Sequence, residues 1–363
     1  MSNPVRDFFR RHGAGAIGLM PPLQSLTADA EERALIDWNC ERDANDWEPV
    51  ICPEAPMHAD ERPTRFVDGC HNGKTVTWLR NPSHGWPIAV HLAEVGGIVM
   101  ELKGRTLTRQ FFGLERVVSF VVDAFPWHEI ESVAVALSNM RALPLRLLPA
   151  KMPEPGDINL FDYEVMRQQA NARTLREMAV WEAVAMEHSK TANTLLDGSL
   201  AARDSVSLRN RTGLLIGVIK THSQNYLHDQ GWRTLLKLAK SQRTPFFHLQ
   251  ARPSRRGADI PVATWYLRLS ETDAPNAGIV RIEVPWAQFV ERWPTQTQQS
   301  AFASRLSRWI VDARCRQQSY SRMPISLEPI VRAEDSLKSL FTPFNLLRNR
   351  FLQHTGITGG ALT

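Results

Sequence analysis

Two apolar tetrads ending in Asp-Gly bracket the first half of this 363-residue chain, Phe66-Val67-Asp68-Gly69 and Leu195-Leu196-Asp197-Gly198. Each has the pattern of a buried strand that stops on a carboxylate, with a glycine turning the backbone away. Aspartates at the ends of two core strands can face one another however far apart they lie in sequence. Such a pair repels unless positive charge lies between, and a divalent cation is the usual solution. The competing reading is that each Asp-Gly marks a hairpin turn. Matching apolar flanks on both tetrads favour the site.

The surrounding residues carry a resemblance. Arg65-Phe66-Val67-Asp68-Gly69-Cys70 and Thr194-Leu195-Leu196-Asp197-Gly198-Ser199-Leu200 are followed in order by Leu214–Lys220 (LLIGVIK), Trp265–Leu269, Gly278–Pro285 and Tyr320–Glu334. Over roughly residues 60 to 340 this ordered set resembles the NurA nuclease family. The second motif matches the family's Leu-Asp-Gly-Ser-Leu in full, whereas the first carries Cys70 in place of serine. The resemblance implies an α/β fold, a ribonuclease-H-like mixed sheet flanked by helices, and metal-dependent hydrolysis of DNA with Mn2+ or Mg2+. It also implies a homodimer that works with a hexameric HerA-type ATPase, in DNA end processing or defence against foreign DNA.

The same resemblance distributes roles. Asp68 and Asp197 are the first pair of ligands. A glutamate on the helix before the second aspartate is the third, and Glu177 and Glu182 are both candidates. Glu182 shares a helical stripe with Leu175, Met178, Ala185 and Met186, where a solvated acid would be out of place. Where the family has a histidine after its Tyr-Pro segment, this chain has none. Glu334 falls nearest that place, as a fourth ligand or as part of a solvated helix. Lys220 closes an apolar strand, as the family's lysine does, and is a candidate for contact with the scissile phosphate. Arg268 and Arg281 would line a DNA channel or form cross-strand pairs with Glu283. Tyr320 is placed to stack on a base. A non-catalytic DNA-binding or adaptor subunit, supported by Cys70 and the missing histidine, and an enzyme acting on RNA are the alternatives.

Charge is unevenly spread. Residues 27–62 hold eleven acids against three bases, whereas residues 208–256 hold ten Lys or Arg against Asp229. A local basic field is the footprint expected for a polyanion, and the loop with Arg252, Arg255 and Arg256 is its densest part. The acidic stretch has the wrong sign for DNA and is read as an assembly element, with Leu35, Ile36, Trp38 and Trp47 as anchors. Its competing role is to shield the basic face. Four scattered cysteines, without zinc spacing, fit a reducing cytoplasm. No apolar run is long enough to span a membrane. There is no HExxH and no Gly-rich phosphate loop before Lys-Ser/Thr, which speaks against an ATPase.

The resemblance implies a nuclease-like domain (61–345), preceded by an extension (1–60) and followed by a tail (346–363). A short helix is expected over 29–38, strands near 75–80 and 87–102, and a long helix over 158–188. Gly96-Gly97 reads as a break or bend in the second strand. The stretches 114–123 and 128–140 fit either a helix or a strand. Further strands are expected at 194–197, 214–219, 246–251, 264–269 and 278–284, and helices at 231–240 and 298–317.

Overall fold

The computed structural model describes residues 3–16, 35–152, 162–201, 208, 210–222, 225–250, 253–254, 257–258, 260–271, 278–316 and 325–357. Three long strands make its frame: β1 (Arg65–Arg80), β2 (Pro87–Lys103) and β3 (Thr106–Val121), an antiparallel meander. Parallel to the end of β3 runs β4 (Arg146–Ala150). On its other side β1 pairs in parallel with β5 (Thr194–Asp197), and β5 in parallel with β6 (Leu215–Ile219). The sheet continues antiparallel through β9 (Ile279–Pro285), β8 (Val262–Arg268) and β7 (Phe247–Leu249). A three-stranded meander extended on one side of its first strand by two parallel strands gives the mixed sheet of an α/β fold that the resemblance implied.

Helices cover both faces. Phe66, Leu195, Ile216 and Val218 pack against α6 (Gln296–Asp312) and α7 (Glu328–Lys338), through Phe302, Leu306, Ile310, Ile330, Ala333 and Leu337. One residue along each strand, Val67, Leu196 and Leu215 point the other way. They meet Ala185 and Met186 of α3 (Asp162–Glu187) and Leu235 of α4 (Asp229–Lys237). The far halves of the meander serve a second core, closed by α1 (Pro4–Arg11), α2 (Trp127–Ser138) and α8 (Phe344–Thr355). The short α5 (Trp286–Arg292) follows β9. No helix among the described residues is long and apolar enough to cross a membrane.

Gly96-Gly97 does not break β2; it seats a helix. Gly69, Gly97 and Gly113 are register neighbours across β1, β2 and β3. A Cβ at Gly97 would collide with the carbonyl of Trp181, and one at Gly113 with the Trp181 ring. At Gly69 it would press on Met178 and lie 3.4 Å from Cβ of Glu182. The three glycines are therefore a furrow in which α3 lies with its backbone almost on the sheet.

Both chain ends differ from expectation. Residues 36–37 pair with β7 as a strand rather than closing a helix, while residues 29–34 lie outside the described residues. Trp47 is fully buried and Trp38 donates its indole N–H to the Tyr226 carbonyl, so neither is a free anchor. Phe8 and Phe9 of α1 lie in the second core with Leu347, Phe351 and Leu352 of α8. Aromatic and aliphatic side chains at helical spacing draw both segments, expected as extension and tail, into the fold.

We predict that Gly97→Ala costs roughly 1–3 kcal/mol of stability, the usual penalty for forcing atoms into a filled site. Thermal melts of the two proteins would measure it. A loss under about 0.5 kcal/mol would show that α3 is not seated on the furrow.

Candidate functional site

The parallel register sets the first pair. Val67 is opposite Leu196, so the next residues, Asp68 and Asp197, stand side by side on the face that α7 covers. Asp197 is in turn opposite Val218, and Lys220, two residues on, returns to the same face. Its ammonium group lies 2.7 Å from Oδ2 of Asp197. Asp68 is only 7% exposed, and one carboxylate oxygen accepts the Gly69 N–H at 2.9 Å.

Two glutamates complete the cluster. Glu182, 5% exposed, comes from α3 over the side-chain-free position of Gly69. Glu334 comes from α7, with Lys338 one turn on at 2.5 Å. Burial holds the Asp68 carboxyl well above its usual range, and Asp197, Glu182 and Glu334 push it the same way, with Lys220 opposing. Asp68 thus lies within electrostatic reach of three other acids, the farthest of them 266 residues away in sequence. Cys70 lies beneath Glu334. Burial, with Asp68 and Glu334 adding to it, raises its thiol far above the ordinary range, so it offers no thiolate.

The loop after Asp197 is held by a residue that the sequence reading treated only as an arginine's partner. Gly198 adopts a φ of 131°, and the chain folds back over β6. Glu283, completely buried on β9, accepts the backbone N–H groups of Leu200 at 2.6 Å and Ala201 at 3.1 Å and the Ser199 hydroxyl at 3.0 Å. Gly217, its register partner, leaves the space: a Cβ there would meet the Gly198 carbonyl oxygen at 2.7 Å. A lone acid in an otherwise apolar strand (IVRIEVP) was the available signal.

Other expected site residues lie elsewhere. Glu177 is bound by Arg146 and by Arg173, and is not among the groups that act on Asp68. It ties α3 to the edge strand β4, and the third acid of the cluster is Glu182. Arg281 is 5% exposed, paired with Glu283 at 2.7 Å on its own strand and stacked on the Tyr226 ring. Arg268, equally buried, donates to the Leu238 carbonyl. Both are buried and held by partners inside the fold, Arg281 by a carboxylate on its own strand and Arg268 by the carbonyl that caps α4. Arg252, Arg255, Arg256 and Tyr320 lie outside the described residues.

No protein-family model matches the chain, and no curated protein matches it. Among solved structures it is similar to the NurA nuclease from Sulfolobus solfataricus, at 10% identity, over 87% of this chain and 90% of that one, with a TM-score of 0.40. At that identity and TM-score the likeness assigns no activity to this chain.

The donor set is all oxygen, which suits a hard cation such as Mg2+ or Mn2+, and the strain on Asp68 is of the kind a cation relieves. Among the described residues, no three such side chains converge on one point as they stand. Asp197 is turned to Lys220 and Glu334 to Lys338. Binding of a cation therefore entails exchange of at least one lysine contact.

A raised carboxyl pKa in the folded state means that the native protein binds this proton more tightly than the unfolded chain does. Stability from this group is full below the unfolded value, near 4, and is lost as pH rises through the higher folded value. We predict that Asp68→Asn, measured without divalent cations, raises the melting temperature at pH 7–8 by a few degrees and leaves it nearly unchanged near pH 4. Calorimetry across that range would check it; equal effects at both ends would mean that Asp68 is not strained.

Proposed function

We propose that this protein is a metal-dependent nuclease that hydrolyses phosphodiester bonds in DNA, with Asp68, Glu182, Asp197 and Glu334 as the residues that hold Mn2+ or Mg2+. One observation carries the reading: acids from α3, β5 and α7 lie within electrostatic reach of Asp68 on β1, with Lys220 on Asp197 and Lys338 on Glu334, and burial and like charge raise the Asp68 carboxyl. A purely structural role gives no reason to bring like-charged carboxylates together around a buried aspartate, since that costs stability.

Bound cations would lower the pKa of a water and offset charge on the leaving oxygen. The chain's own residues do the rest. Lys220, released from Asp197, is placed to meet the negative charge of a phosphate between the strands. Glu283 fixes the backbone of residues 199–201 and so the position of Asp197. The glycine furrow fixes Glu182. Partnership with a HerA-type hexameric ATPase and a homodimeric state belong to the same proposal, supported by the ordered motifs between Asp68 and Glu334. A non-catalytic binding subunit is the second reading, favoured by the Lys220–Asp197 pair, which neutralises one acid without a metal.

Glutamine substitutions at the two candidate glutamates separate site from scaffold. Glu182→Gln is expected to cut manganese-stimulated cleavage of single-stranded DNA by roughly two orders of magnitude, as are Asp68→Ala and Asp197→Ala. Glu177→Gln should keep most of the rate and lose stability instead, because it removes the carboxylate that ties Arg173 and the Glu115-paired Arg146 to α3. Gel assays on single-stranded DNA, duplex DNA and RNA, with and without Mn2+, would decide. No cleavage of any of them, with a HerA-type ATPase also supplied, would leave the binding subunit; preference for RNA would move the substrate class.

A further inference from the structure

A cavity of about 640 Å³ lies between α6, the start of α7, the end of β2 and residues 55–62. Its floor is apolar, with Met57, Leu102, Ala313 and the Trp309 ring, which lies parallel to Phe66. Its rim carries Arg62, Arg308, Arg314 and Arg316, and the acids Asp312 and Glu328. Those two acids already have arginine partners: Asp312 is bound by Arg308 at 3.1 Å and Glu328 by Arg332 at 2.8 Å. Among the described residues no carboxylate pairs with Arg62, Arg314 or Arg316. The cavity is thus left with three unneutralised guanidinium groups above an aromatic floor. The first turn of α7 also borders it, through Glu328 and Pro329.

We infer that this cavity binds a nucleoside phosphate, with the base on the Trp309 floor and the phosphate held by Arg62, Arg314 and Arg316. Guanidinium forks match phosphate oxygens, and an aromatic face accepts any base. A purely hydrophobic ligand would leave the three charges unpaired, and an inorganic anion would leave the floor wet. Glu328 at the cavity and Glu334 at the carboxylates lie on one helix, six residues or about 9 Å apart. The ligand is accordingly a nucleotide of the strand presented to the carboxylates; that last step rests on the proposed nuclease activity, and the binding does not.

The test is equilibrium binding in EDTA, so that nothing is cleaved. The probes are fluorescent oligothymidylate, thymidine monophosphate and inorganic phosphate, applied to the full chain and to the Arg62→Gln/Arg316→Gln double variant. Both arginines are exposed at the surface, so the double variant is expected to melt as the parent does. Wild type should bind thymidine monophosphate at least about tenfold more tightly than phosphate, the reach of one stacked base. The double variant should weaken oligonucleotide binding at least tenfold and reduce the log–log salt slope by about 1.4, at roughly 0.7 per phosphate contact on a single strand. Oligonucleotide binding lost in the variant with no measurable monophosphate binding would support the site as part of a strand-binding track. Monophosphate binding lost in the variant, with oligonucleotide binding intact, would support a free nucleotide as the ligand. Unchanged binding of both probes, or equal binding of phosphate and monophosphate by wild type, would overturn the inference. Because binding is measured in EDTA, failure of cleavage and failure of binding remain distinguishable.

Discussion

Everything at the site depends on how closely one helix can approach the sheet. Backbones of a helix and a sheet are normally held apart by the side chains between them. Across Gly69, Gly97 and Gly113 those side chains are missing, and the Trp181–Glu182 segment of α3 occupies the space. Glu182 consequently reaches Asp68, although α3 lies on the opposite face from α7 and Glu334. A methyl group at the centre of the furrow would lift the helix and take one acid out of the cluster.

The cluster is held against its own repulsion from several sides. Lys220 offsets Asp197, Lys338 offsets Glu334, and burial shifts Asp68 toward its neutral form. Behind it, Glu283 spends a fully buried carboxylate on two backbone N–H groups, a hydroxyl and Arg281. Such a charge is tolerable because each lone pair finds a donor. Asp68 accepts the Gly69 N–H and has three acids near it, and the contrast separates a carboxylate surrounded by donors from one crowded by like charge. The arginine-rimmed cavity beside α7 adds the opposite charge within a helix's length of them.

Local pattern made much of the frame legible. The long helix was expected over 158–188 and is observed over Asp162–Glu187; the strands before Asp197 and Lys220 fall where alternation and apolar runs put them. The glycine pair was misread, because a glycine in a strand signals a bend or a close approach equally well, and only the partner across the gap decides. Arg268 and Arg281 were misplaced for a related reason. Alternation says that a residue faces one side of a sheet, but whether water or an α-helix lies there is settled by elements far away in sequence.

By itself the sequence determined which core strands carry a carboxylate before a glycine, at Asp68 and Asp197, and which helix face carries an acid among apolar neighbours, Glu182. Those are properties of segments, fixed by periods of two and 3.6 residues. The pattern wrongly ended the first strand at Asp68, because β1 runs on through Gly69 to Arg80 and only Asp197 closes its strand. Only the tertiary structure decided between Glu177 and Glu182, since both lie on one helix and differ in what packs opposite: Arg146 from β4 for the first, Gly69 for the second. It also brought Glu334 to the cluster, and gathered Arg62, Arg314 and Arg316 around Trp309 from places about 250 residues apart. Charges separated in the chain acquire a common field only when the core fixes their distances, and Coulomb interaction depends on those distances alone.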